Sequence, residues 1–382
     1  MTLALTLMIR DEVDILPEWL AYHVTQGVDV LVVTDNGSTD GTRELLEEFA
    51  RTSSVTVDLR HDPVHRKQQS ATVTAMARDA HTVHGADWVV NADADEFLIP
   101  RDRDLTLADV FSRLDPAVRA FVVPVVNMVG PLAESGGGLD RLVWRDQRDA
   151  AELHAIGLIS HPSGNAIHVG DPDVSVVQGN HLVTIAQGAV PPEELGLEVL
   201  HYPWRSWEQY AHRVEIAGVA YESNPDVSPS PNHHGMRDFR RLRAGTLKAY
   251  WSLRSTAPGQ TETDSFARDD SLPRFLASIG RDLSTTDRLL TPTEVDALQG
   301  AGRGLVERDD AVDRLEAVEA AQTENVRLLE ATVGRMSDRI AALEGLANDR
   351  ERQVAELSAR KVVRWADALG DRARAVKGTL RP

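Results

Sequence analysis

The stretch WVVNADADEFLIP, residues 88–100, sets Asp93, Asp95 and Glu96 between two apolar runs. Carboxylates packed that closely repel one another, and idle charge beside a core is costly. Asp93 and Asp95 are one residue apart, so at a strand end, where the backbone turns, both can approach one cation. Hard divalent ions such as Mg2+ or Mn2+ take oxygen ligands and leave positions for substrate phosphates. Held there, such an ion would act as a Lewis acid towards a diphosphate leaving group. Acidic pairs also decorate ordinary solvated loops. It is the apolar embedding of this one that points to function.

Such a pair needs strand ends to position it, and the first hundred residues alternate strand and helix. LALTLMI (Leu3–Ile9) reads as a buried strand, residues 15–27 as a helix stopped by Gly27, and residues 28–35 as the next strand. NGSTDGTRELLEEFA supplies a turn, capping side chains and a second helix. Strand, helix and strand follow at residues 55–60, 68–83 and 87–93. The pattern predicts an α/β fold with a mainly parallel sheet flanked by helices. Ligands on such sheets lie at the carboxyl ends of the strands. Arg10, Asp11 and Glu12, then Asp35 and Asn36, then residues 93–96 all fall at such ends. Further on, a helix is expected at 105–114, a strand at 120–126, a loop at 134–141, and irregular chain at 151–190. An amphipathic helix starts near Trp204, and residues 223–235 read as a loop. The globular domain spans residues 1–290.

Composition narrows the function. A formal charge of −18 and a pI near 5.1 argue against a general nucleic-acid binder, which needs a basic surface. Absence of cysteine excludes disulfides, thiolate metal sites and cysteine nucleophiles, and it fits a reducing cytoplasm. The N-terminus has no basic segment before its short apolar run, so it does not read as a signal peptide. No apolar run approaches the roughly 18–20 residues of a membrane span. PNHHG lacks a third spaced metal ligand, and SHPSGNAIH lacks the strand–turn context of a serine nucleophile.

After an expected linker at 291–305 the pattern changes. Val312/Leu315, Val326/Leu329, Val333/Met336, Ile340/Leu343 and Val354/Leu357 recur at heptad spacing, with Glu319/Gln322 and Ala347/Arg350 at the intervening core pairs. β-Branched residues at a with Leu or Met at d favour a parallel two-stranded coiled coil. Residues 306–360 are therefore expected to make a homodimer; a long amphipathic helix packed on its own domain is the alternative. Residues 361–382 form a basic amphipathic tail with Trp365, suited to peripheral contact with anionic lipid or to a partner.

The strings MIRDEVDILPEWLAYHVTQGVDVLVVTDNGSTDGT and ADWVVNADADEFL resemble the family 2-like glycosyltransferases of the GT-A fold. The nearer resemblance is to a bacterial branch with DNGSTDGT and ADW…D-x-DEF motifs, whose HYP-x-RS-x-EQ segment is similar to LHYPWRSWEQYAHRV here. It covers residues 3–215. The resemblance implies a GT-A-type, Rossmann-like fold and a metal-dependent, inverting transfer of a hexose from a nucleotide-diphosphate donor, UDP-linked, to a hydroxyl of a glycan or lipid-linked acceptor. It places Arg10, Asp11 and Glu12 beside the base and ribose, Asp35 and Asn36 on base or ribose, and Gln69 near the donor. Asn36 departs from the acid many members carry. Asp93 would contact ribose or metal, and Asp95 would be the principal ligand of Mn2+ or Mg2+. A third ligand would be His201 or His181. Arg205 would grip a phosphate through its guanidinium fork, or else pair with Glu208. Asp140, Asp146, Glu152, Asp171 and Asp173 are candidates for the general base that takes the acceptor proton, with Asp171 the choice. Action at the inner membrane face, where lipid-linked acceptors lie, would suit the basic tail. The rival reading is a non-catalytic assembly protein that binds a nucleotide sugar or glycan and recruits partners through its coiled coil.

Overall fold

The computed structural model describes residues 1–64, 69–223, 233–257, 259–283 and 287–378. The chain divides into two units, Met1–Glu307 and Arg308–Pro382. In the first, the apolar run LALTLMI forms β1 (Leu3–Ile9), almost wholly buried because it is an interior strand covered on both faces. The strand's period of two sorts its residues. Ala4 packs with Val30, Val32 and Val89 on one face, while Leu3, Leu5 and Leu7 join Leu16 and Trp19 on the other.

Pro17 opens α1 (Leu16–Thr25), which Gly27 stops at φ +88°. A Cβ on Gly27 would lie 2.6 Å from that of Ala108, so both backbone angle and space require glycine there. β2 (Val30–Asp35), α2 (Thr42–Thr52), β3 (Thr56–His61), α3 (Gln69–Thr82) and β4 (Trp88–Ala92) complete the expected alternation. These strands run parallel in the order β3-β2-β1-β4, with Leu5 opposite both Leu31 and Val90. Their carboxyl ends therefore come out on one edge.

The chain then turns through residues 93–95 and enters a second sheet as β5 (Glu96–Pro100). A reciprocal cap between Thr106 and Asp109 opens α4 (Leu107–Arg113). The strand expected at 120–126 is two strands, β6 (Ala120–Val123) in the first sheet and β7 (Val125–Val129) in the second. Pro124 separates them because it has no N–H for a ladder. Next come β8 (Ala133–Ser135), β9 (Trp144–Asp146), α5 (Ala150–Ala155), β10 (Asn165–Val169) and β11 (Leu197–His201). β8 ends inside the loop expected at 134–141. β10 lies antiparallel between β4 and β6, so the first sheet is parallel over four strands and antiparallel at that edge. β11 runs antiparallel to β5 and parallel to β7, and this register sets His201 opposite both Glu96 and Asn127.

The remaining elements of the first unit are α6 (Trp207–Glu222), α7 (His234–Arg243), α8 (Leu247–Ser252), β12 (Phe266–Arg268), α9 (Ser271–Ser278) and β13 (Arg288–Leu289). Of the loop expected at 223–235, residues 224–232 lie outside the described ones, and His234 already opens α7. The final helix, α10 (Pro292–Gly378), begins within the first unit. Residues 291–305, expected as a linker, are instead mostly its first turns, with Val295 packed beside Leu132 and Trp251. The second unit, from Arg308, is the rest of this helix, which includes the start of the basic segment. No helix among the described residues is long and apolar enough to cross a membrane.

Candidate active site

The carboxyl ends of β1, β2 and β4 surround a cavity of about 260 Å3, lined among others by Arg10, Asn36, Gln69, Asp93, Asp95 and Arg213. Five of these six were expected at a donor site; Arg213 was not. A larger cavity, about 450 Å3, opens on the β6 edge between Phe121, Val122, Leu182 and Val190. Its lining is mainly apolar, and the clustered acids belong to the smaller one, which is where the chemistry lies.

Asp95 is buried, and its carboxylate faces two groups. Arg213, from α6, pairs with Oδ2, and the same oxygen lies 3.4 Å from His201 Nε2. The other ring nitrogen of His201 is 2.8 Å from Asn127 Oδ1, which fixes the ring and leaves Nε2 aimed at Asp95. Burial alone would raise the Asp95 pKa, but the charges of Arg213 and His201 hold it well below the usual carboxylate range. These two cations favour the ionised form of Asp95.

Glu96 behaves oppositely. Burial, then repulsion from Asp93 and Asp95, pushes its pKa well above the ordinary value, against the help of Asn165. Its Oε2 accepts from Asn165 Nδ2 at 2.6 Å and from the Asp93 N–H at 3.4 Å. The crowding of the three acids thus favours the protonated form of Glu96. Asp93 Oδ1 accepts from Gln69 Nε2 at 3.3 Å and from Asn180 Nδ2 at 3.4 Å.

At the end of β1, Asp11 takes a left-handed φ of 53°. Its Oδ1 accepts from the Thr39 N–H at 2.6 Å, and its Oδ2 is 3.0 Å from His212 Nε2. Burial opposes ionisation of Asp11, yet these hydrogen bonds outweigh it and lower the pKa. Asp35 is turned into the loop that follows β2, bound by the Ser38 N–H at 3.1 Å and facing His61 Nδ1 at 2.9 Å. Asn36 donates through Nδ2 to the carbonyls of Asp62 and Val64, so its amide braces that loop. Glu12 is buried under α6, where burial pushes its pKa up to about 7 against the pull of Arg205.

Several expected residues are placed elsewhere. Arg205 is fully buried: its guanidinium pairs with Glu12, donates to Asp14 at 2.9 and 3.1 Å, and donates to the Tyr202 carbonyl at 3.2 Å. With its donors so engaged it has no fork to offer a phosphate, and Glu208 is not its partner. Asp171 lies at the opposite end of the sheet. β10 is antiparallel to β4, with Val169 opposite Trp88, so the residues after β10 emerge where β4 begins. There Asp171 approaches Arg119 at 3.7 Å, and Asp173 accompanies it. Asp146 holds Arg148, Glu152 closes the cap of α5, and Asp140 is an exposed neighbour of Asp287. None of the proposed general bases therefore lines the cavity. His181 directs Nδ1 to the Gly164 carbonyl at 3.1 Å, and its neighbour Asn180 is the residue that reaches Asp93.

What the sequence reading missed is mostly on α6. Gln209, His212, Arg213 and Ile216 follow helical spacing and share one face; three of them bond Glu12, Asp11 and Asp95 respectively. That spacing was legible in WEQYAHRVEI. Asn127 and Asn165 carried no such signal, because only the register of distant strands brings them in.

For a metal, the donor set is a carboxylate and an imidazole already converging, with Asp93 on the same turn. Among the described residues no group of three or more acidic, histidine or cysteine side chains is assembled to hold an ion. The Arg213 guanidinium occupies the face of Asp95 that a cation would need. Asp95 and His201 are an oxygen and a nitrogen donor of the kind that would hold Mn2+ or Mg2+, in the place where Arg213 pairs with Asp95 here. Around the cavity, Arg10 Nε, Asn180 Oδ1 and Gln209 Oε1 are buried without a hydrogen-bond partner among the described residues. Of these three residues Arg10 lines the cavity, and its Nε lies 3.7 Å from Asp11 Oδ2.

Residues 6–121 match the family model of glycosyltransferase family 92. The matched span runs from β1 into β6 and includes Arg10, Asp35, Asp93 and Asp95; His201 and Arg213 lie beyond it. The motifs resembled family 2-like enzymes, whereas the model that matches is that of another glycosyltransferase family. No curated protein matches the sequence. Among solved structures, the chain is similar to residues 1–349 of TarS from S. aureus at 12% identity, covering 66% of this chain and 78% of that one, with a TM-score of 0.34. It is similar to the same fragment in complex with UDP at 13% identity, covering 66% and 72%, with a TM-score of 0.35.

Proposed function

We propose that the protein is a glycosyltransferase that moves a hexose from a nucleotide-diphosphate donor, UDP-linked as the motif resemblance implies, to a hydroxyl of a glycan or lipid-linked acceptor with inversion. The observation that carries this reading is the strand-end cavity, where an ionised, buried Asp95 faces His201 Nε2 and Arg213. The match of residues 6–121 to a glycosyltransferase family supports it.

In this reading Asp95 and His201 hold Mn2+ or Mg2+, with Asp93 alongside. The ion, when bound, neutralises the departing diphosphate. Arg213 takes the anion-binding role that the sequence suggested for Arg205: released from Asp95, its fork suits a phosphate pair. Arg10, Gln69 and Asn180 supply polar contacts at the rim. The volume of about 260 Å3 is at the lower edge of small-molecule sites, which run to roughly 300–1,000 Å3. A cation on Asp95 Oδ2 would take the place that the Arg213 guanidinium holds in this structure.

The test is acceptor-independent hydrolysis of a panel of nucleotide sugars with and without Mn2+. The wild type should release nucleotide diphosphate from one of them in a Mn2+-dependent manner. Asp95→Asn should lose at least about 100-fold of that rate, as for removal of a strong electrostatic stabiliser. No turnover across the panel, together with equal donor binding by Asp95→Asn, would favour the non-catalytic assembly reading.

A further inference from the structure

The second unit carries its apolar seam in the open. Val312, Leu315, Val326, Leu329, Val333, Met336, Ile340, Leu343, Val354 and Leu357 are between 44% and 69% exposed on one continuous helix. A stripe of that length is stable only when covered. The segment is one uninterrupted helix, and the charges set into its seam fit the same segment of a second copy.

The direction of pairing follows from the two seam layers that are not apolar. In a parallel, in-register pair each residue meets its own copy. Glu319 would then face Glu319 and Arg350 would face Arg350, two like-charge layers inside the seam. An antiparallel pair instead matches a positions with d positions, so the numbers of facing residues have a constant sum. With a dyad between residues 334 and 335, Glu319 faces Arg350 and Gln322 faces Ala347. Val312 then meets Leu357, Leu315 meets Val354, Val326 meets Leu343, Leu329 meets Ile340, and Val333 meets Met336. Every apolar residue has an apolar partner, and each of the two charges finds its opposite.

The register is equally specific. Sliding one helix by a heptad sets Glu319 against Leu357 and Arg350 against Val326. Sliding it the other way sets them against Leu343 and Val312. Both alternatives bury unpaired charge in apolar layers. One feature favours the parallel form, a flanking pair between Arg339 and Glu344 of the two copies, and the antiparallel form brings Glu316 near Glu351. Those positions are at the solvated rim, where such pairs weigh little, whereas seam charges are partly desolvated. The β-branched residues at a that suggested a parallel coil are consistent with two strands, and the charges reverse their direction.

We propose that residues 312–357 form an antiparallel two-stranded coiled coil with a second copy of this chain, registered by the Glu319–Arg350 layers. The proposal is independent of the reaction at the first unit. It places residue 308 of the two copies roughly 80 Å apart along the rod, at 1.5 Å per residue.

Because the chain contains no cysteine, disulfide trapping in the full-length protein reads the geometry directly. Residues 315 and 354 of one helix are roughly 60 Å apart and cannot bond to each other. Mild oxidation should convert Leu315→Cys/Val354→Cys into a covalent dimer, while Leu315→Cys and Val354→Cys alone stay unlinked yet sediment as dimers. Cross-linking of the single variants as readily as the double one would establish the parallel form and overturn the proposal. So would a wild-type chain that sediments as a monomer. Charge exchange gives a second readout: Glu319→Arg or Arg350→Glu should weaken dimerisation by about tenfold, and the two together should restore it. A double exchange no tighter than the singles also overturns the proposal.

Discussion

At the scale of single residues, Glu96 and Asp95 are neighbours in sequence whose pKa values are pushed in opposite directions. Burial and two adjacent carboxylates raise that of Glu96, while the charges of Arg213 and His201 lower that of Asp95. The elevated pKa of Glu96 has a signed consequence. The unfolded chain ionises Glu96 near its ordinary value of 4.5, whereas the folded chain resists until much higher pH. Its contribution to stability is therefore complete below pH 4.5 and is lost as the pH rises through the folded-state value. Glu96→Gln keeps the acceptor for Asn165 and removes the titration, so its melting temperature should fall less than that of the wild type between mildly acidic and alkaline pH. Parallel curves for the two proteins would show that Glu96 is already ionised in the folded state. The three acids were plain in the sequence; the expected partner of Asp95 was a divalent ion, and the group that pairs with it in this structure is Arg213. The upward push on the Glu96 pKa was not plain there, since it comes from burial between two sheets, which outweighs the hydrogen bond from Asn165, 69 residues away on β10.

At the scale of elements, the site is a meeting of two kinds of position. Parallel strand ends supply Arg10, Asp35 and the acid turn, and these were legible because alternating apolar runs fix where the ends of β1, β2 and β4 must fall. The other half comes from β11 and α6, and their placement rests on pairing between sheets. His201 was anticipated as a residue type, but its aim at Asp95 follows from standing opposite Glu96 and Asn127 in the second sheet. Arg205 is the instructive reversal. A guanidinium near a presumed phosphate site reads as a ligand, yet this one pins the chain just before α6 to Glu12 and Asp14 beneath the cavity. Removing it leaves two buried or half-buried carboxylates without their cation. Arg205→Met should therefore cost about 3–5 kcal/mol of stability by chemical denaturation. A loss below about 1 kcal/mol, with weakened donor binding alone, would return Arg205 to the phosphate. Pro124 shows the same lesson in the fold: the apolar run around it looked like one strand, and its missing N–H divides the run between two sheets.

At the scale of the whole molecule, the chain couples a unit with an acid-lined strand-end cavity to a helix whose seam is built for a second copy. The boundary between them was read from the change in hydrophobic period. Its position shifted because the first turns of α10 still pack on the globular core through Val295 and Val306. The heptads were visible, but apolar residues alone do not set direction; the two charged layers do. The central claim concerns the first unit, and calorimetric titration tests it most directly. UDP should bind the wild-type protein at least about tenfold more tightly with Mn2+ than without, and Asp95→Asn should abolish that difference. Equal UDP affinity with and without Mn2+ in the wild type, unchanged by Asp95→Asn, would contradict the assignment of Asp95 and His201 to a cation that carries the donor diphosphate.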